Sequence, residues 1–382
     1  REFRGKGANV MLGPSVNVHR SAWGGRNFEL LSGEDPYLGA RLARAYVMGV
    51  QSQGVLAVVK HFAFNEQETN RYKVDSKVGE RAAWELYYPP FQAAVDAGAG
   101  AFMCAYNKVN GTWCCENEDL LQRDLRGRMG FRGFVMSDWW AVHRTSVDKG
   151  LDMDQPGTDG HFSDKKLASV DEKLLDKAVH RVLAATYRLR LDEYPGCAPP
   201  HCVKEQQANV TSVANRALAR EVATAAVTLL KNDGVLPLQA SKVRTLAVIG
   251  RAAVAAPAPW GTTFPPRSGM PRGDIYAGGG SGHISARSVV TALDGISRRA
   301  RTAGIRVVSS TDGVVRHAVK TAREADVAIF VAGATTVENM DRGSLRLSGP
   351  ADHVIESLAK VKPTIVLLQV PGAVLTPWRH HV

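Results

Sequence analysis

Short apolar runs alternate with longer amphipathic stretches through the first 190 residues, and few folds accept that order. Residues 9–12, 55–59, 99–105, 133–137 and the stretch around 151–153 have strand length and strand composition. Residues 36–51, 80–97 and 120–129 carry helical patterns between them. A strand that returns parallel to its predecessor needs a long crossover, usually a helix, so the alternation predicts parallel strands with crossover helices. Polar, reactive residues follow the apolar runs, as at the C-terminal face of a (β/α) barrel. The expected fold class is therefore α/β, with a barrel-like first domain over residues 1–190.

The pattern breaks at Asp192-Glu-Tyr-Pro-Gly-Cys-Ala-Pro-Pro-His201, and residues 191–212 are expected to be a linker. A helix is predicted over 213–230, closed by the stop Lys231-Asn-Asp-Gly234. A second alternating unit then carries strands at 245–250, 305–309, 327–332 and 364–369, giving a second α/β domain over 213–382.

A chain of 382 residues with 45% hydrophobic and 22% charged residues has enough material for two cores. Its net charge of +11 is spread along the chain without basic runs or basic–aromatic interleaving, which argues for a solvated surface and against nucleic acid. No apolar run reaches the length of a membrane span. Of five cysteines, Cys197 and Cys202 bracket a proline-containing loop, and Cys104 and Cys115 flank the turn-rich Tyr106-Asn-Lys-Val-Asn-Gly111. Each pair could form a small disulfide, leaving Cys114 over; none has zinc-site spacing. With the sequons at Asn110 and Asn209, the pairs point to an oxidising, secretory route and an extracellular protein.

Gly133-Phe-Val-Met-Ser-Asp-Trp-Trp140 carries the sharpest chemical signal. It reads as a buried strand ending on Asp138 among indoles. An indole face suits the apolar face of a sugar ring, and a carboxylate beside it can attack an anomeric carbon. The competing reading is a helix cap. Lys60-His61 also sits at a strand end, where both side chains can donate to hydroxyls. Arg26, in Trp23-Gly-Gly-Arg-Asn-Phe-Glu29, presents a fork that could grip vicinal hydroxyls or pair with Glu29 or Glu34. Met103 and Tyr106 follow another strand; core packing is the ordinary role for Met103. A second carboxyl group could come from Glu66, Glu68, Glu116 or Asp154, or from Glu338 after the buried run 327–332. Gly278-Gly-Gly-Ser-Gly282 lacks the fingerprint of a phosphate loop, and nucleotide binding is disfavoured.

Several ordered motifs together resemble glycoside hydrolase family 3 β-glucosidases, in a secreted, fungal-type branch. They are Gly25-Arg-Asn-Phe-Glu29 with Gly33-Glu-Asp-Pro36, Lys60-His-Phe with Asn65-Glu-Gln-Glu68, and Met103-Cys-Ala-Tyr-Asn107. Gly133-Phe-Val-Met-Ser-Asp-Trp139, Gly150-Leu-Asp-Met153, Leu229-Leu-Lys-Asn-Asp-Gly-Val-Leu-Pro-Leu238 and Gly278-Gly-Gly-Ser-Gly282 complete the set. The resemblance implies an incomplete (β/α)8-like barrel followed by an α/β sandwich, with a sugar held in the cleft between them. It makes Asp138 the nucleophile of a retaining, exo-acting β-glucosidase and Glu338 its acid/base. Arg26, Lys60 and His61 would bind sugar hydroxyls, and Met103, Tyr106 and Trp139 would wall the subsite.

The family often has glycine after the acid/base glutamate, where this chain has Asn339. The N-acetylglucosaminidase-like branch places a histidine-bearing loop soon after Lys-His, but Phe62-Ala-Phe-Asn-Glu-Gln-Glu68 stands here. The β-xylosidase branch has cysteine after the nucleophile, where Trp139 stands, so a glucoside fits better than a xyloside. The expected substrate is a β-glucoside or cello-oligosaccharide, with no cofactor and no metal. Homo-oligomerisation stays open. Both ends are expected to be shortened, with an upstream sugar-gripping aspartate and the closing strands of the second domain missing. A non-catalytic sugar-binding remnant is the rival reading.

Overall fold

The computed structural model describes residues 1–382 except 195, 198–199, 264–268 and 287. The chain forms two compact units, one of Arg1–Ser21 with Leu30–Thr224, the other of Ala22–Glu29 with Ala225–Val382.

The first unit is built on β1 (Val10–Met11), β2 (Leu56–Phe62), β3 (Ala101–Cys104) and β4 (Phe134–Ser137). All pairings are parallel and the spatial order equals the chain order. Sequential parallel neighbours joined through helices make the wall of a (β/α) barrel. Side chains alternate as strand geometry requires. Leu56, Val58, Ala101, Met103, Phe134 and Met136 share one cluster, with Ala185 and Leu191. Ala57, Val59, Phe102, Cys104 and Val135 join another, with Ala43 and Val47 of the helix Pro36–Gln51 and with Phe91 and Ala94 of Pro89–Asp96. Phe62 anchors that second cluster, its ring 5.7, 5.2 and 5.8 Å from those of Tyr88, Phe91 and Phe102.

Three elements differ from expectation. The strand around 151–153 is a single bridge between Met153 and Met136. Its amides at Asp152 and Met153 converge on one carbonyl, that of Val135, while the Asp152 carboxylate takes the Val135 N–H at 2.8 Å and the guanidinium groups of Arg126 and Arg181. A continuous helix over 80–97 is instead Glu80–Ala82, a wide turn over Ala83–Tyr87, and Pro89–Asp96. Pro89 and Pro90 have no N–H to continue a regular ladder, and the Tyr88 N–H donates to the Ala83 carbonyl five residues back. The helix expected over 213–230 stops at Ala225, short of the β-branched pair Val227-Thr228.

Cys104 and Cys115 are bonded, as are Cys197 and Cys202. The first bond ties the end of β3 to the end of the hairpin formed by Lys108–Val109 and Thr112–Trp113. Cys114 is the free cysteine; burial pushes its thiol up to about 12, so it stays protonated and unreactive at neutral pH. Residues 198–199 of the second disulfide's loop, and Pro195 before it, lie outside the described residues. Within 191–212 the structure places a short helix, Val203–Gln207, and Lys6 Nζ donates to the Gln206 and Ala208 carbonyls at 2.8 and 2.9 Å.

The second unit is a parallel sheet of β5 (Thr245–Ile249), β6 (Arg306–Ser310), β7 (Val327–Gly333) and β8 (Thr364–Gln369), in the order β8-β7-β5-β6. Ala247, Ile249, Ala328 and Phe330 pack with Ala318 and Ala322 of the helix Val315–Arg323 and with Val354, Ile355 and Leu358 of Ala351–Ala359. Leu246, Val248, Ile329 and Val331 pack with Ala300, Leu293 and Ile296 of Ala292–Thr302. Helices on both faces of a parallel sheet make an α/β sandwich, and strands buried on both sides account for near-continuous apolar runs such as 327–332. Among the described residues, no helix is long and apolar enough to cross a membrane.

Candidate active site

In the first unit the ladder delivers Asp138 to a strand tip. Cys104 pairs with Ser137, the Asp138 N–H donates to the Cys104 carbonyl at 3.1 Å, and the Ser137 N–H donates to Met153 O at 2.9 Å. The backbone is thus held from both sides where the acid emerges. Asp138 is buried, and its Oδ1 accepts from Tyr106 Oη at 3.0 Å and from the Trp139 N–H at 2.8 Å. His61 Nε2 lies 3.5 Å from Oδ2. Burial and the adjacent Asp138 charge push the Tyr106 phenol far above its ordinary value, so its hydroxyl remains a donor at any working pH.

Lys60 and His61 occupy the end of β2 and are both buried. Lys60 is fixed through its backbone, its N–H donating to Pro14 O and its carbonyl accepting from the Val16 N–H. The His61 peptide is clamped by one residue: Asn17 Oδ1 accepts its N–H at 2.8 Å, and Asn17 Nδ2 donates to its carbonyl at 3.2 Å. Met103 is 2% exposed and sits in an apolar cluster against which Trp139 packs. The structure therefore brings Asp138, His61, Tyr106 and Trp139 together and puts Met103 behind the indole.

The other acids of this unit are engaged elsewhere. Glu66 Oε1 accepts from Asn17 Nδ2 at 3.1 Å, and burial raises its carboxyl to about 8. Glu68 pairs with Arg71 at 2.9 Å and Glu116 with Arg144 at 3.1 Å. Asp154 accepts a long 3.4 Å bond from Ser137 Oγ; burial and the neighbouring Asp159 raise it to about 6.

Glu338 belongs to the second unit, five residues beyond β7, and is 4% exposed. Its Oε1 accepts from Arg26 Nη1 at 3.3 Å and its Oε2 from the Ser281 N–H at 2.7 Å. Arg26 is itself gripped by Glu29, through Nε at 2.6 Å and Nη2 at 2.8 Å. Of the two partners weighed for Arg26, Glu29 is thus one in fact, and Glu338 is added. The loop that carries Arg26 is pinned to the loop that carries Glu338: Thr336 Oγ1 donates to Gly25 O, and the Gly25 N–H donates to Asp341 Oδ1. A Cβ at Gly25 would fall 2.1 Å from Met340 O, so only glycine permits that approach.

Sequence reasoning missed three of these groups. Asn17 is one buried polar residue in the run Pro14-Ser-Val-Asn-Val18, a signal visible only once that run is known to lie beside β2. The glycine loop 278–282 reads from sequence as structural or a subsite edge, with no link to Glu338, yet its Ser281 N–H holds Glu338, and a Cβ at Gly280 (φ +112°) would lie 2.3 Å from that of Glu338. Arg71 was not singled out at all.

A buried acid at a strand tip of a barrel-like wall and a second buried acid after a strand of a sandwich are the residue types that glycoside hydrolysis uses. Whole-sequence comparison narrows the class. Residues 1–156 match the glycosyl hydrolase family 3 N-terminal domain and residues 227–382 match that family's C-terminal domain. The chain belongs to glycoside hydrolase family 3.

It is 39% identical to a β-glucosidase of Rhizobium radiobacter over 340 residues, 88% of this chain and 38% of that protein. It is 36% identical to a probable β-glucosidase L of Emericella nidulans over 403 residues, 98% of this chain and 54% of the relative. Among solved structures, the β-glucosidase D2-BGL of Chaetomella raphigera superposes with a TM-score of 0.85 at 31% identity, covering 98% of this chain and 55% of that one. The chain thus spans about half the length, or less, of the curated relatives it matches.

Proposed function

We propose that the chain acts as an exo-acting, retaining β-glucosidase on terminal non-reducing β-D-glucosyl residues of β-glucosides or cello-oligosaccharides. Asp138 attacks the anomeric carbon while Glu338 gives a proton to the departing glycosidic oxygen, so one C–O bond forms as another breaks. Glu338 then takes a proton from water, whose oxygen displaces Asp138 and releases glucose. Arg26, Lys60 and His61 bind sugar hydroxyls, and Tyr106 and Trp139, backed by Met103, wall the subsite.

The observation that carries this reading is the setting of Asp138, buried at a strand tip with Oδ1 held by Tyr106 and the Trp139 amide and His61 beside Oδ2. Two donors on one oxygen orient a carboxylate for attack through the other. Secretion belongs to the same proposal, supported by two disulfides and by the exposed sequon residues Asn110 and Asn209.

The test is mass spectrometry after incubation with a 2-fluoro-β-glucoside, which stalls the glycosyl-enzyme. A sugar adduct on the Asp138 peptide, absent in Asp138→Asn, is expected. A folded chain that binds glucose yet never acquires the adduct would overturn the reading in favour of sugar binding without turnover.

A further inference from the structure

Among the described residues Arg71 is the largest fully buried side chain, 1% exposed, and it occupies an expensive position. A buried guanidinium is tolerated only with partners, and an apolar side chain of similar volume is often no worse for stability. Its partners are specific. Glu68 Oε2 accepts from Nη1 at 2.9 Å, across a turn closed by the Arg71 N–H on Glu68 O. Nη2 donates to Tyr72 Oη at 2.9 Å. The guanidinium carbon lies 4.5 Å from the centre of the Tyr106 ring and 4.9 Å from that of Tyr72. Those two rings meet edge to face at 4.6 Å.

Tyr106 is the residue whose hydroxyl meets Asp138 at 3.0 Å. A cation against the face of a phenol draws electron density from the ring, which strengthens the hydroxyl as a donor, and a planar guanidinium also keeps the ring from swinging. The Tyr72 ring closes another side. The buried pair thus faces the ring whose hydroxyl donates to Asp138.

We propose that Glu68, Arg71 and Tyr72 form a positioning layer that fixes Tyr106 and strengthens its hydrogen bond to Asp138. None of the three is assigned contact with sugar; they act through Tyr106. The consequence for catalysis rests on Asp138 being the nucleophile, whereas the layer itself does not.

Two readouts separate those statements. The first is the Cζ carbon resonance of Tyr106 in the full chain labelled with 13Cζ-tyrosine, assigned through Tyr106→Phe and followed with pH. The second is the rate of Asp138 labelling by the 2-fluoro-β-glucoside. The variant is the double change Glu68→Gln with Arg71→Met, which removes both charges and leaves neither orphaned; Arg71→Lys keeps the charge without the planar fork. In the folded double variant the Tyr106 resonance should move toward those of exposed tyrosines. Labelling should slow about tenfold, the size of one desolvated cation–π contact, and adding Tyr106→Phe should slow it little further. Arg71→Lys should recover part of both effects.

An unchanged Tyr106 resonance in a folded double variant would overturn the layer. A shifted resonance with unchanged labelling would overturn its role in catalysis. Wild-type chain that takes no label would sink the nucleophile assignment, and the resonance would still decide whether the layer exists.

Discussion

The two buried carboxylates are held in opposite ways. Asp138 is met by a phenol and a backbone amide on one oxygen and an imidazole near the other. Glu338 has a guanidinium on one oxygen and a backbone amide on the other. Two donors thus meet at Oδ1 of Asp138, which suits the proposed attack through the other oxygen. Each oxygen of Glu338 accepts one of these bonds, and a protonated carboxyl keeps acceptor capacity, so the proposed proton delivery is compatible with both. Under the proposed roles, the donors to the nucleophile converge on one oxygen and those to the acid/base are divided between two.

The largest effect that could break this contrast comes from removing each acid. Asp138→Asn should abolish turnover, about 10⁴-fold or more, for every leaving group. Glu338→Ala should lose roughly 10²–10⁴-fold with a poor leaving group, and much less with a dinitrophenyl glucoside that needs no proton. Added azide should rescue Glu338→Ala as the β-glucosyl azide and leave Asp138→Asn inert. Rescue of Asp138→Asn with retained configuration would reverse the roles.

Gly280→Ala probes the restraint on Glu338. A methyl group at a left-handed position 2.3 Å from the Glu338 Cβ forces the loop away. The expected cost is about 1–3 kcal/mol of stability, with the Ser281 bond to Glu338 lost. The acid/base step should slow, read as a fall in kcat with the natural leaving group, while Asp138 labelling by an activated 2-fluoro-β-glucoside is spared. Loss of both rates together would show that the loop serves more than Glu338.

These differences also explain what the sequence revealed. Asp138 was legible because a strand ladder positions it: an apolar run with a polar terminus, adjacent in sequence, encodes the geometry locally. Parallel pairing of 99–105 with 55–59 on one side and 133–137 on the other follows from the same alternation. From the residues alone Glu338 is one of several candidate acids, and only the resemblance singles it out, since its partners Arg26 and Ser281 are 312 and 57 residues distant. Arg71 and Asn17 were invisible for the same reason, as their roles exist only through long-range packing on Tyr106 and His61. The missing regular helix at 80–97 was legible in Pro89-Pro90 and was overlooked because the apolar period continues through it.

Glu66 offers a pH test within the Asp138 region. Its carboxyl is raised to about 8 by burial, offset in part by the Asn17 bond and the Arg20 charge, and Tyr87 is the other titratable group that senses it. A raised carboxyl favours the folded state while protonated. The stabilisation is therefore full below the unfolded value near 4.5 and is lost as pH rises through about 8. Glu66→Gln keeps an acceptor for Asn17 and removes the titration. It should match wild type in melting temperature at pH 5 and exceed it at pH 9, by about 2–4 kcal/mol in stability. The His61 peptide, clamped by the same Asn17, should make the alkaline fall in activity shallower as well. A constant gap between the proteins across this range would show that Glu66 does not titrate there.

The smallest effect concerns the residue after Glu338. Asn339, where the family resemblance implies glycine, adopts φ +71°, the left-handed conformation that glycine takes freely and that asparagine tolerates better than other side chains. Asparagine at this position is thus compatible with a backbone that glycine would also adopt. Asn339→Gly should change stability by only a few tenths of a kcal/mol and leave kcat intact. Asn339→Val should cost about 1–2 kcal/mol, because a β-branched side chain resists that conformation, and should disturb Glu338 without touching Asp138. The discriminating measurement is the ratio of turnover with a poor leaving group to Asp138 labelling. That ratio should fall in Asn339→Val and hold in Asn339→Gly; an equal fall in both would mean that the asparagine side chain, rather than its backbone conformation, supports the acid.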